Sequence, residues 1–307
     1  MLPPIPSLVV LFSLSTALAH SHVAYVLING LHYPGHDPTG RTANPPSAVG
    51  WSTTAADDGF VAPSGYTGRD IICHRDGAAP RAHAPVRAGD AVHVQWNGWP
   101  LSHRGPVLSY LAPCDTPTGC AGVRDPATLR FTKIDESFPA LLEATGAGAG
   151  ESPPPVGRWA TEVLIGANNS WQVGIPRGIK GGAYVLRHEI VALHYAGRED
   201  GAQNYPQCVN LWVEGDDGGG GAGEGVDLRG GLPATELYGA EDPGVAVDIY
   251  GGGVRTYVIP GPTVVAGAEP VGMDGQSMSV LRGAGTPVVV VGGTRTVPFG
   301  GAEETGR

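Results

Sequence analysis

The chain has 307 residues with 49 Gly and 28 Pro, together about a quarter of it, at the edge where composition alone points to disorder. A hydrophobic content of 41% argues instead for a sizeable core, and the length allows one large domain or two small ones. A formal net charge of −10 without a basic cluster excludes nucleic acid as a natural partner, and no window nears the ~18–20 continuous apolar residues of a membrane span.

In chain order, residues 1–19 come first and carry no charged side chain. Their apolar stretch from Ser7 to Leu18 is too short to cross a bilayer and ends in Ala17-Leu18-Ala19, small residues at the positions a signal peptidase reads. A secreted protein is expected, with cleavage after Ala19 leaving His20 first, or after Ser21 leaving His22 first. Either way a histidine carries the free α-amine, and amine plus imidazole form a chelating pair of nitrogens that binds metal at neutral pH while displacing few protons.

Short alternating runs follow at Val23–Ile28, Ala91–Trp96, Trp171–Ile175, Val185–His194, Val209–Val213, Val245–Tyr250 and Thr256–Ile259, separated by Gly, Pro, Asn and Asp clusters. Helical periodicity is scarce, so the pattern predicts an all-β sandwich. The long connections 31–70 and 115–160 are expected to be structured and to carry function. The acidic, Gly-rich segment Asp216–Gly225 reads as a surface loop, and the Gly-Ala repeat at 146–150 leads into Ser152-Pro153-Pro154-Pro155 rather than a helix, which discards a nucleotide loop. Residues 20–265 read as one domain and 266–307 as a weakly ordered tail without the aromatics and cysteines of a carbohydrate-binding module.

Four cysteines suit the secretory route and allow three pairings. Cys114 and Cys120 flank a turn-rich stretch that favours local closure, which leaves Cys73 with Cys208. Closing that long loop is worth about 4–5 kcal/mol on the chain-entropy model, less any strain. Asn168-Asn169-Ser170 is the clear N-glycosylation acceptor.

The common hydrolytic signatures are missing: there is no His-Glu-x-x-His, Cys-x-x-Cys or Gly-x-Ser-x-Gly. Carboxylates such as Glu162 with Glu189, or Asp135 with Glu136, are not placed about a common bond by any pattern, and a secreted zinc hydrolase is disfavoured because no carboxylate base sits near either His motif. Three segments are informative together: His20-Ser21-His22 leading to Asn29-Gly30, Ser102-His103-Arg104-Gly105-Pro106, and Leu186 to His194 followed by Gln203-Asn204-Tyr205-Pro206-Gln207-Cys208. With Asp242-Pro243-Gly244 and Tyr257 to Pro262, they make the chain resemble the fungal lytic polysaccharide monooxygenases of auxiliary-activity family nine over roughly residues 20–265.

The resemblance implies an immunoglobulin-like or fibronectin-like β-sandwich whose long loops form a flat substrate face. It implies one copper per chain held by His20, His103 and an axial Tyr205, with His194 and Gln203 acting on the bound oxygen. Amine and imidazole nitrogens in tetragonal geometry suit Cu(II), the divalent ion such a set binds most tightly. The implied reaction is hydrogen abstraction at C1 or C4 of a β-1,4 bond in cellulose or a related glucan, with O2 or H2O2 as co-substrate and a small-molecule or protein reductant as electron donor. The same two disulfides are implied, and a monomer is expected. His188 reads as structural, and His22 as facing away from the metal or toward the substrate surface. Tyr257 is the leading sugar-stacking aromatic, ahead of Tyr33 and Trp51. The alternative is a non-catalytic secreted copper- or glycan-binding protein of the same fold.

Overall fold

The computed structural model describes residues 21–136, 158–215, 226–250 and 256–301. Among these the strands are β1 (Val23–Ile28), β2 (Leu31–Pro34), β3 (Ala84–Arg87), β4 (Ala91–Trp96), β5 (Val107–Pro113), β6 (Thr132–Glu136), β7 (Ser170–Gly174), β8 (Gly182–Ala192), β9 (Gln203–Glu214), β10 (Gly283–Ala284), β11 (Val288–Val291) and β12 (Arg295–Pro298). Two short helices, α1 (Asp70–Cys73) and α2 (Ala160–Gly166), join them. One sheet has the order β10-β2-β1-β4-β7, the second the order β3-β9-β8-β5-β6, and β11 pairs with β12. The architecture is the β-sandwich expected from the alternating runs.

Local chemistry explains the first hairpin. Asn29 and Gly30 both take positive φ, 52° and 83°, between Ile28 and its partner Leu31. A two-residue turn with both central φ values positive matches strand twist, and Asn-Gly is the pair that tolerates it. β1 then pairs on its other side with β4, where Val26 faces Val94 and Ile28 faces Val92.

Burial on both faces explains why β8 is apolar at successive positions on either side of its central Arg187-His188-Glu189. Leu186, Ile190 and Ala192 belong to the core between the two sheets, while Val185, Val191 and Leu193 belong to a second core on the opposite face. That second core is built from the long connections: Trp51, Val61, Tyr66, Ile71, Tyr238, Val245 and Ile249 all lie in it. A strand covered on both faces needs apolar residues at successive positions. The 31–70 connection is correspondingly anchored, by bridges of Gly50 to Val209 and Val61 to Asn204.

Both disulfides are present, Cys73–Cys208 across a sequence separation of 135 and Cys114–Cys120 across 6. The first ties α1 to β9. Beside it the wholly buried Arg187 donates to both oxygens of Glu189, at 2.7 and 3.0 Å, and to the Ile71 and Ile72 carbonyls at 2.8 and 2.9 Å. Asn204 Nδ2 and the Tyr238 hydroxyl also donate to Glu189. Every strong acceptor of this buried carboxylate is therefore engaged, as burial of a charge requires.

Two elements differ from the sequence expectation. Val245–Tyr250 and Thr256–Ile259 are turns and extended chain rather than strands. Val245 and Ala246 N–H both bond the Asp242 carbonyl. Val245 and Ile249, four apart, are the buried positions, which is helix-like spacing rather than alternation. The sequence also predicts a weakly ordered tail from residue 266, yet residues 266–301 pack along the domain. Gln276 exchanges hydrogen bonds with Gln172, β10 adds in parallel to β2, and Val288 bridges His83. Residues 302–307 lie outside the described residues.

Candidate active site

His103 sits at the end of the loop 97–103. Its N–H bonds the Pro100 carbonyl at 3.0 Å, and its own carbonyl accepts from Trp99 Nε1 at 2.8 Å. Beyond the loop the β5–β8 ladder continues past the ends of both strands. Val191 N–H reaches the Pro106 carbonyl at 3.2 Å, and Leu193 N–H reaches the Arg104 carbonyl at 2.8 Å. Extending that pairing by one residue sets His103 opposite His194, and the two imidazoles lie 3.9 Å apart, centroid to centroid, tilted by 33°.

Gly105 makes this approach feasible. A Cβ there would sit 1.7 Å from the Val191 carbonyl oxygen, so no other residue fits without moving the strand. Its N–H donates to Thr161 Oγ1 of α2 at 3.2 Å, while Arg104 pairs with Glu162 at 3.1 Å. The glycine of the His-x-Gly-Pro motif is thus a packing requirement that happens to place the histidine.

Gln203 opens β9, and Gln203, Tyr205 and Gln207 share a face by the two-residue repeat of a strand. The Tyr205 hydroxyl donates to Gln203 Oε1 at 2.9 Å. Its ring meets Trp99 edge-on at 5.0 Å, and Trp99 in turn stands edge-on to His103 at 6.0 Å. Burial, with the nearby Asp57 charge, pushes the Tyr205 phenol well above its ordinary pKa, so it stays protonated. His103, His194, Gln203 and Tyr205 therefore form one connected group, with Trp99 as the ring between them.

His20 and residues 1–19 lie outside the described residues. Ser21 and His22 are described, and both are buried. His22 Nδ1 donates to Asp58 Oδ1 at 2.6 Å, which places its ring inside the protein, on the Asp58 loop. Among the described residues no group of three His, Cys, Asp or Glu side chains could hold a metal ion. A metal at His103 therefore needs donors from beyond this set.

Tyr257 packs edge-on against Trp159 at 5.1 Å, and its hydroxyl donates to the Gly244 carbonyl at 2.6 Å. Tyr33 and Trp51 are core residues, each 3% exposed, the latter donating to Asn210. His188 is buried against Ser109, and burial lowers its pKa to about 3, so it is neutral and structural as read. Glu162 caps α2 through Trp159 N–H and Glu189 serves Arg187, so neither is a paired hydrolytic carboxylate. Asn168 is exposed in a turn with φ 58°.

Sequence reasoning missed Trp99, Asn97, Asp58 and Tyr195. Tyr195 is 49% exposed, with its ring 4.4 Å from that of His194 and Arg198 stacked over it at 5.0 Å. Its position directly after His194 was the available signal. Asn97 and Trp99 could have been flagged by the Asn-Gly-Trp-Pro turn that precedes the His103 motif. Asp58 carries no local signal, because its partner is 36 residues away.

Residues 20–257 match the family described as Auxiliary Activity family 9 (formerly GH61). A lytic polysaccharide monooxygenase of that family from Aspergillus tamarii is 47% identical over 256 residues, 83% of this chain and 94% of its own length. One from Malbranchea cinnamomea is 46% identical over 253 residues, 82% of this chain and 69% of its own. Among solved structures, the extended catalytic domain of H. jecorina LPMO9A is 42% identical with a TM-score of 0.71, covering 87% of this chain and 98% of that one.

Proposed function

Since the chain belongs to Auxiliary Activity family 9, the copper-dependent lytic polysaccharide monooxygenases, we propose that it is a secreted enzyme of one copper ion that cleaves cellulose or a related β-1,4-glucan at C1 or C4. Oxidative cleavage of polysaccharide is the general activity of this family. The observation that carries the reading is the His103–His194 stack joined through Trp99 to the Tyr205–Gln203 pair.

The donor set fits copper. His103 offers an imidazole and Tyr205 a neutral phenol, and His20, first after cleavage at Ala19, would complete the set with its amine and imidazole. Bound copper supplies one-electron reduction chemistry toward O2 or H2O2, fed by an external reductant. Tyr205 would be one of the residues that hold the copper, and burial holds its phenol protonated in the metal-free protein. Its bond to Gln203 Oε1 engages the amide oxygen and fixes the amide orientation, leaving the Gln203 NH2 as the donor end. His194, stacked on His103, is positioned to hold or move a proton beside the same group. Tyr195, exposed beside His194, and Tyr257, partly buried against Trp159, are the proposed sugar-stacking aromatics. The exposed Asn168 suits glycosylation, and a monomer suffices for the chemistry.

The test is incubation of the mature, copper-loaded protein with phosphoric-acid-swollen cellulose and ascorbate, followed by mass spectrometry. Oxidised oligosaccharides are expected. Their absence across cellulose, xyloglucan and glucomannan would overturn the reading, and copper binding without products would favour the non-catalytic alternative. His103→Ala is expected to abolish tight copper binding in calorimetry, and unchanged affinity would place the site elsewhere.

A further inference from the structure

We infer that His22 and Asp58, together with Asn97, are positioning residues that hold the start of the mature chain in register with the His103 loop, and so set the copper geometry without ligating the metal. The inference rests on the proposal that His20 and His103 bind copper together.

The segment that follows His20 is pinned at every residue. His22 is 6% exposed and donates from Nδ1 to Asp58 Oδ1 at 2.6 Å, and Asp58 is itself 5% exposed. The remaining ring nitrogen lies 3.9 Å from Asp37, beyond hydrogen-bond reach. Asp37 is occupied by four bonds of 2.6 to 2.8 Å from Thr39 and Thr42. Asp58 therefore holds the His22 ring by the short bond, and Asn97 Nδ2 lies 3.2 Å from the same Nδ1.

Asn97 grips the backbone on the other side. Its Oδ1 accepts from Ser21 Oγ and from His22 N–H, the latter at 3.1 Å, and its own N–H donates to the His22 carbonyl at 3.1 Å. Val23 N–H adds a 3.3 Å bond to Gln207 Oε1. Gln207 shares a strand face with Tyr205 and Gln203. Asn97 also begins the loop whose Trp99 holds the His103 carbonyl at 2.8 Å. One loop thus grips both the segment after His20 and the residue His103.

A metal held by donors from two chain segments is sensitive to their relative position, and a site must be kept within about 0.5 Å of its working geometry. Residues that orient ligands cost about 10- to 100-fold in metal affinity when removed. A histidine two positions from a proposed ligand is itself an obvious metal donor, so the test has to separate the two roles. Asparagine at position 22 places an N–H donor near the site of His Nδ1 but lacks the second ring nitrogen.

Copper(II) affinity by calorimetry, frozen-solution EPR of the copper(II) form, and the thermal midpoint of the metal-free protein are measured for wild type, His22→Ala, His22→Asn and Asp58→Asn. His22→Ala is expected to bind copper about 10-fold or more weakly with a shifted parallel hyperfine coupling, and His22→Asn to restore both. Asp58→Asn, which keeps a side chain tolerant of the positive φ of 53°, should shift the spectrum in the same direction by less. Wild-type affinity and spectrum in His22→Ala would overturn the inference, whatever its thermal midpoint. Loss in His22→Asn equal to that in His22→Ala would overturn it in favour of direct ligation. If His22→Ala does not fold, a shifted Asp58→Asn beside an unshifted His22→Asn supports the inference, and the reverse sinks it. Failure of the wild type to bind copper would count against the proposed function instead.

Discussion

Two buried residues carry consequences that can be measured without any metal. At Gly105 the Val191 carbonyl oxygen occupies the place of a Cβ, at 1.7 Å. Gly105→Ala must push β8 or the His103 loop aside, and an overpacked site of this kind costs about 3 kcal/mol. Urea denaturation of the metal-free protein should register that loss, and the displaced His103 should weaken copper binding in parallel. Asp135 is the second. It is wholly buried and accepts from Trp171 Nε1 at 2.8 Å, and burial pushes its pKa up to about 7. The native state keeps that proton to about pH 7 while the unfolded chain releases it near 4. Between those values the unfolded state binds fewer protons, so this group lowers stability as pH rises. Asp135→Asn, a permanently neutral mimic, should gain on wild type by about 4 kcal/mol between pH 4 and 7. Urea midpoints at four pH values across that window would show it, and a constant difference would contradict it.

At the scale of elements, the second sheet is held from outside as much as from the sandwich core. The Arg187–Glu189 pair joins β8 to α1 through the Ile71 and Ile72 carbonyls and to β9 through Asn204. The Cys73–Cys208 disulfide ties the same α1 to β9. Arg187→Met would leave Glu189 a buried carboxylate facing Tyr238 and Asn204 without its counter-charge. Breaking one side of a buried pair costs about 3–5 kcal/mol, so the variant should lose that much in denaturant titration. Arg187→Met combined with Glu189→Leu should recover most of it, because the desolvated charge goes with its partner.

At the scale of the whole molecule, the described residues form a sandwich along which residues 266–301 pack. Val289, Val290 and Val297 of the β11–β12 hairpin are buried, and the segment crosses from Gln172 through β2 to His83. A chain ending at Val265 should keep the two-sheet core and the His103–Tyr205 group but melt about 5 °C or more below the full chain, given the few kcal/mol of apolar burial removed. Scanning calorimetry checks this, and an unchanged midpoint would make that packing incidental to stability. Such a result would leave the reading of the active site intact, since the His103–His194 and Tyr205–Gln203 contacts lie wholly before residue 265.

Sequence by itself determined the fold class, strands β1 and β4 residue for residue, both disulfides, and the family through the ordered motifs around His103 and Gln203–Cys208. These features are legible because each rests on local chemistry: alternation, turn residues, short-range closure, motif spacing. Tertiary structure alone decided the rest. Tyr33 and Trp51 became core, and Val245 and Ile249 became buried turn positions, because the long connections form a second layer over β8 and β9. His22 met Asp58 across 36 residues and His103 met His194 across a ladder that outruns its strands. No local pattern encodes such partners, since they are selected by which surfaces the sheets leave to be covered.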